Sequence, residues 1–215
     1  MKSWVIPEAG PEFVCGMEEV LDLYAQPYDP DHPRVCLDES PKQLISERRE
    51  SFTDAHGVEH VDDEYTREGT VDLSMVVEPL AGKREVLVKD QHTRLEGAEV
   101  VAHVVEDLYP SAKKVTWIQD NLRTHKKSAL YELFAPERAR AILEKLEFIY
   151  TPKHGSWLNV AECELSVLTR QGLGERVACK EEAIRQVTAW YATRNDAGAK
   201  VDWQFTTCQI QGEGH

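Results

Sequence analysis

With 215 residues, 41% of them hydrophobic, the chain is long enough for one full domain with a sizeable core. It has no apolar run near the ~18 residues of a membrane span and no basic-then-apolar leader, so a cytoplasmic protein is the expectation. A net charge of −13, from 25 Lys plus Arg against 38 Asp plus Glu, argues against strong polyanion binding through the overall field, and five scattered cysteines without a CxxC argue against a zinc module.

Residues 10–25 place Phe13, Met17, Val20, Leu21 and Tyr24 on one face at helical spacing. Three prolines between 26 and 33 end that helix. Residues 34–38 read as a short strand, and the charged stretch 46–69 as an irregular excursion or a weak hairpin arm. Val71, Leu73, Met75 and Val77 alternate with Asp72 and Ser74, the period of a half-buried strand. A turn at 79–82 makes 85–89 the returning strand of a hairpin. Leu95, Ala98, Ala102, Val105 and Leu108 mark one helical face over 94–109, which Pro110 ends. Residues 115–119 form the next strand and deliver Asp120. Helices follow over 125–134 and, from a first-turn Pro136, to 146; 148–150 is a last short strand. The loop 151–157 leads into a helix over 159–170, and a final helix over 180–194 turns Ala183, Ile184, Val187 and Trp190 inward. This order predicts an α/β fold, a mixed central sheet of about five strands flanked by helices. Cys36 and Cys163 fall on core elements and are expected as packed, reduced thiols.

Three acids stand in telling places: Asp38 in VCLDES, Asp120 in TWIQDNLRTH and Glu162 in TPKHGSWLNVAECELS. Carboxylates at the ends of neighbouring strands, with one more on a covering helix, can converge on hard divalent cations, which prefer oxygen ligands. Two such ions ~3.5–4 Å apart clamp the attacking and leaving oxygens of an in-line displacement at phosphorus. The residues point to metal-dependent phosphodiester chemistry on a nucleic acid. Each acid also has a plain structural role open to it: Asp38 as a strand-end turn residue, Asp120 as a helix cap, Glu162 as a solvated side chain. Glu39 competes with Asp38, although alternation sends it to the opposite face. Glu162 and Glu164 flank the buried stripe of Leu158, Ala161, Leu165 and Leu168 on opposite sides, and periodicity does not choose between them. Bases gather near the second and third acids as Lys113, Lys114, Arg123, Lys126, Lys127 and Lys153, a run that is as often only a solvated face. Residues 1–70 hold 6 bases and 17 acids, the remainder 19 and 21, so polyanion contact belongs to the later part.

At VCLDES, IQDNLRTH and above all YTPKHGSWLNVAECELSVLTRQGL, the chain resembles the catalytic domain of DDE-type transposases, in the bacterial insertion-sequence branch related to mariner elements. The similarity runs from about Trp4 through Thr207 and takes in the hairpin VDLSMVVEPLAGKREV and the segment VDWQFTT. HGSWLNVAE is its most specific block, because Trp157, Asn159 and Glu162 in that order are far rarer than a scattered acid triad. The resemblance implies an RNase H-like fold, with residues 1–33 as an N-terminal helix and Pro-rich lead-in, 34–207 as the catalytic domain and 208–215 as a tail. It implies Asp38, Asp120 and Glu162 as catalytic and metal-ligating residues, over Glu39 and Glu164, with two Mg²⁺ or Mn²⁺ as cofactors. Strand cleavage at an element end and attack of the freed 3′-OH on target DNA follow from it, without a covalent protein–DNA intermediate. Lys126, Lys127 and Lys153 are candidates for holding the DNA backbone, and His125 and His154 for phosphate or metal-supporting contacts. The implied partners are the terminal repeats, target DNA and a second copy in a homodimer, on the nucleoid when DNA is bound.

Relatives carry N-terminal helix-turn-helix modules for which this sequence has no room. A truncated or split chain is therefore expected, complemented by a separately encoded helix-turn-helix subunit, with backbone contacts in place of base readout. The acidic stretch 54–68 stands where relatives often have bases. Two other classes stay open: a non-catalytic remnant or regulator that keeps the fold, and another RNase H-like nuclease. Intact acids speak against the first and the HGSWLNVAE block against the second.

Overall fold

The computed structural model describes residues 10–49, 52–60, 64–120, 127–174 and 176–203. In chain order, helix α1 (Pro11–Ala25) precedes strand β1 (Arg34–Glu47); β2 (Phe52–Thr53) and β3 (Glu59–His60) pair as a small ribbon; β4 (Tyr65–Glu78) and β5 (Lys83–Lys89) form a hairpin. Helix α2 (Arg94–His103) leads to β6 (Val115–Gln119), and α3 (Ser128–Leu133) with α4 (Pro136–Glu144) leads to β7 (Leu146–Tyr150). Helices α5 (Val160–Gln171) and α6 (Lys180–Asp196) follow.

Five strands form one mixed sheet in the order β5-β4-β1-β6-β7. The β5-β4-β1 half is antiparallel and the β1-β6-β7 half parallel. Local turns suffice for the first half, while parallel neighbours need crossovers, which α2 and the α3–α4 pair supply. At the β4–β5 turn Gly82 takes φ +68°, and its amide donates to the carbonyls of Glu78 and Pro79. Strand side chains alternate between faces. Cys36, Leu73, Met75, Val77 and Ile118 face a core built with α1, α5 and α6. Val35, Leu37, Val76 and Trp117 face a second core with α2, α3 and α4.

Helix α1 belongs to the first core: Met17, Val20, Leu21 and Tyr24 are buried, and the Tyr24 hydroxyl donates to the Leu158 carbonyl at 2.9 Å. Thr93 and Glu96 close a capping box at the start of α2, each side chain meeting the other's backbone amide.

Several expectations are corrected. Strand β1 does not stop at residue 38 but runs to Glu47, paired with β4 throughout. Beyond Cys36 it has lost β6 as a neighbour, so that edge carries no further strand and tolerates Pro41. Residues 71–78 of β4 are buried on both faces, Asp72 and Ser74 included, because helices cover both sides of the sheet. The helix expected over 94–109 turns into a π-helix at Val104–Leu108, where the Tyr109 amide reaches back to Val104, and that rotation leaves Leu108 exposed. Leu95 and Ile184 also face outward, since their helices bury alanines and valines instead. Cys36 is buried as expected, whereas Cys163 is exposed.

Candidate active site

Asp38 and Asp120 sit at the same level of the parallel half-sheet. The last parallel pair of β1 and β6 is Cys36 with Ile118, and each acid lies two residues beyond its member of that pair. Asp38 shares its face with Cys36, which points to α1 and α5. Asp38 is thus inside a strand, not at its end as expected, but at the point where the parallel ladder has stopped and a crevice opens.

Glu162 reaches the same crevice from the first turn of α5. One side chain ties the start of its helix to β1. Asn159 Oδ1 accepts from the Ala161 amide at 3.1 Å, capping α5, while Asn159 Nδ2 donates to the Leu37 carbonyl at 2.7 Å. Asn159 is buried, so a single amide ties the helix bearing Glu162 to the residue before Asp38. Asp38, Glu39, Ser40, Glu162, Leu165, Ser166 and Thr169 line an open cleft of about 310 Å³ between β1 and α5.

The electrostatics join the third acid to the other two. Burial pushes the Asp38 carboxyl up to about 6; the Glu39 amide, 2.9 Å from its Oδ1, works against this, and the negative charges of Asp120, Glu162 and Glu39 raise it further. Among the described residues no three His, Cys, Asp or Glu side chains, Asp38, Asp120 and Glu162 included, form a group placed to hold a metal ion. Mg²⁺ rarely needs three, because it keeps waters and takes one or two carboxylates with substrate phosphates. A half-buried carboxylate facing like charges, all hard oxygen donors, fits Mg²⁺ or Mn²⁺.

The rival acids are engaged elsewhere. Glu39 pairs with His92 Nε2 at 2.7 Å. Glu164 is buried between two arginines, with Oε2 2.9 Å from Arg84 Nε and Oε1 2.8 Å from Arg194. The Arg84 contact is close but misaligned for a hydrogen bond. The sequence could not offer these partners, because Arg84 and His92 lie far from the acids they hold.

The basic candidates are less gathered. Lys127 lies over the Phe148 ring, 4.6 Å from its centroid. Lys153 and His154 are exposed on the turn after β7, His154 with φ +68°. That turn begins at Thr151, whose amide donates to the carbonyl of Gln119, the residue before Asp120. His125 and Lys126 lie outside the described residues. Missed at the sequence level were Ser40, two residues along the strand from Asp38, and Ser166 and Thr169, which repeat Glu162 at i+4 and i+7; helical spacing alone could have found the last two.

A family model described as DDE superfamily endonuclease matches residues 33–184. Among solved structures, the chain is similar to "Crystal structure of the Mos1 mariner paired end complex with Mn" (17% identity, TM-score 0.59), covering 93% of this chain and 60% of that one. It is also similar to the Mos1 Strand Transfer Complex (16%, TM-score 0.58), covering 93% and 61%, and to a pre-cleavage Mos1 transpososome (14%, TM-score 0.58), covering 93% and 65%. The chain thus spans about 60% of the first of these chains. At these identities the likeness is one of fold, and the fold is RNase H-like, as expected. Comparison with curated proteins gave no match. Among the described residues no helix is long and apolar enough to cross a membrane.

Proposed function

The chain belongs to the DDE superfamily of endonucleases, and on that premise we propose that it is a transposase catalytic domain, cutting a DNA strand to free a 3′-OH and joining that end to target DNA. Asp38, Asp120 and Glu162 are the catalytic carboxylates and the ligands of two Mg²⁺ or Mn²⁺. What carries this reading is the half-buried Asp38, on which the charges of Asp120 and Glu162 bear where the parallel β1–β6 ladder stops.

Bound divalent ions supply Lewis acidity for the attacking and leaving oxygens of the phosphodiester. The chain's own part is placement. Strands β1 and β6 fix Asp38 and Asp120 in register, and Asn159 sets the pitch of α5 and thereby Glu162. Lys153 and His154, on the rim beside Asp120, meet the DNA backbone, and a second copy of the chain handles the paired end. The acidic overall balance makes local contacts, not the global field, the source of DNA affinity.

The test is nicking of duplex DNA in Mg²⁺ or Mn²⁺ by the chain and by Asp120→Ala. Weak, Mn²⁺-favoured, poorly sequence-specific cleavage that vanishes in the variant is expected. Equal activity of the two proteins would reject the assignment, and inactivity of both under every metal would favour a non-catalytic regulator.

A further inference from the structure

The cleft holding Asp38 and Glu162 does not end at the acids. Along β1 the residues sharing the face of Asp38 are Ser40 and Lys42, and the next on that face, Leu44, is in the α5-side core. On α5 the residues above Glu162 are Ser166, Thr169 and Arg170, and Ser166 and Thr169 line the cleft. Carboxylates and hydroxyls thus line the cleft, and Lys42 and Arg170 stand on the same two elements just beyond its lining. Lys42 Nζ donates one hydrogen bond to the Gly174 carbonyl at 3.1 Å, and Arg170 Nε donates to Ser166 O at 3.1 Å. Each keeps further N–H groups for another acceptor. Thr169 has its hydroxyl on Leu165 O, 2.9 Å away, so Ser40 and Ser166 are the hydroxyl donors of the groove.

We infer that this groove is the track for the sugar–phosphate backbone of the DNA strand leaving the scissile phosphate. Ser40 and Ser166 donate to phosphate oxygens, and Lys42 and Arg170 neutralise the phosphates at the far end. From Asp38 to Lys42 the strand spans about 13 Å, and from Glu162 to Arg170 the helix rises about 12 Å. The contacts are to phosphate, so they position the strand without reading its sequence. This assignment rests on the proposed DNA-cleaving function and adds the path of the substrate to it.

Binding of a short duplex of arbitrary sequence should be measured by anisotropy across a salt series, with Ca²⁺ as the divalent ion. The chain is compared with Lys42→Ala/Arg170→Ala and with Arg138→Ala/Arg140→Ala, which removes the same charge from exposed sites on α4, on the other face of the sheet. The groove double variant is expected to lower affinity about 10–60-fold near 0.1 M salt and to flatten the slope of log K against log salt by about 2, equally for unrelated sequences. Methylphosphonate at phosphates next to the nick site should weaken the parent and cost the groove variant no more. An unchanged slope, or the same loss in both double variants, would overturn the track. Neither result bears on the acids, whose failure shows separately as nicking that survives Glu162→Gln or Asp120→Ala.

Discussion

Asn159 offers the sharpest physical test of how the candidate site is assembled. Its Oδ1 caps α5 and its Nδ2 satisfies the Leu37 carbonyl, one residue past the last parallel pair of β1 with β6. Asn159→Ala removes both. Losing the cap costs about 1 kcal/mol, and leaving a buried carbonyl without its donor costs about 1–3 kcal/mol. The expected total is about 2–4 kcal/mol. Asn159→Ser separates the two, since serine caps a helix but is too short to reach Leu37; it should lose only the second part. The measurement is urea unfolding of the three proteins at equal m, so that midpoints report stability directly. A serine variant as stable as the parent would refute the cross-tie between α5 and β1, and an alanine variant within about 0.5 kcal/mol of the parent would refute the cap as well.

Glu164→Ala leaves Arg84, whose side chain is wholly buried, facing a void, and should cost about 3–5 kcal/mol. Glu162→Ala on the exposed side of the same helix should stay within about 0.5 kcal/mol in urea unfolding; the reverse order would exchange the roles of the two glutamates. Asp38 gives a pH signature. Its carboxyl ionises near ~3.9 when unfolded but only near about 6 when folded, so between these values the folded chain holds a proton that the unfolded chain has lost. Stability therefore falls as pH rises from roughly 4 to 6 and stays reduced above. Melting temperatures taken in chelator should show Asp38→Asn gaining on the parent from pH 4 to pH 8, and added Mn²⁺ should raise the parent alone at pH 8; parallel pH curves would contradict the burial of a charged Asp38. Gly172→Ala would set a Cβ 2.6 Å from the Trp190 ring and 2.8 Å from Leu168, and calorimetry should register a loss of about 1–3 kcal/mol from overpacking.

Much of the fold was legible because its signals are local. Strand β6 has the expected bounds, the β4–β5 hairpin forms at the turn marked by Pro79 and Gly82, and Ala161, Leu165 and Leu168 of α5 are buried with Leu158 just before it. The errors arose where neighbours override periodicity. Alternation made β4 look half-buried because Asp72 and Ser74 are polar, yet a helix layer covers that face too. Strand β1 looked short because its continuation is polar, and only its pairing with β4 keeps it extended. The apolar face read for α2 assumed one unbroken α-helical period, which the π-helix shifts.

The candidate site divides the same way. Its chemistry was in the sequence: two acids that follow short apolar runs and a third in the first turn of an amphipathic helix. Periodicity left the choice among glutamates open, since Glu162 and Glu164 flank one stripe symmetrically and a helical period carries no information about what stands opposite; only the resemblance preferred Glu162. Arg84 and Arg194, brought from β5 and α6, engage Glu164, and His92 engages Glu39. Local periodicity fixes which way a side chain leaves its own element, whereas the charge that meets it there arrives from distant parts of the chain, and only packing brings the two together.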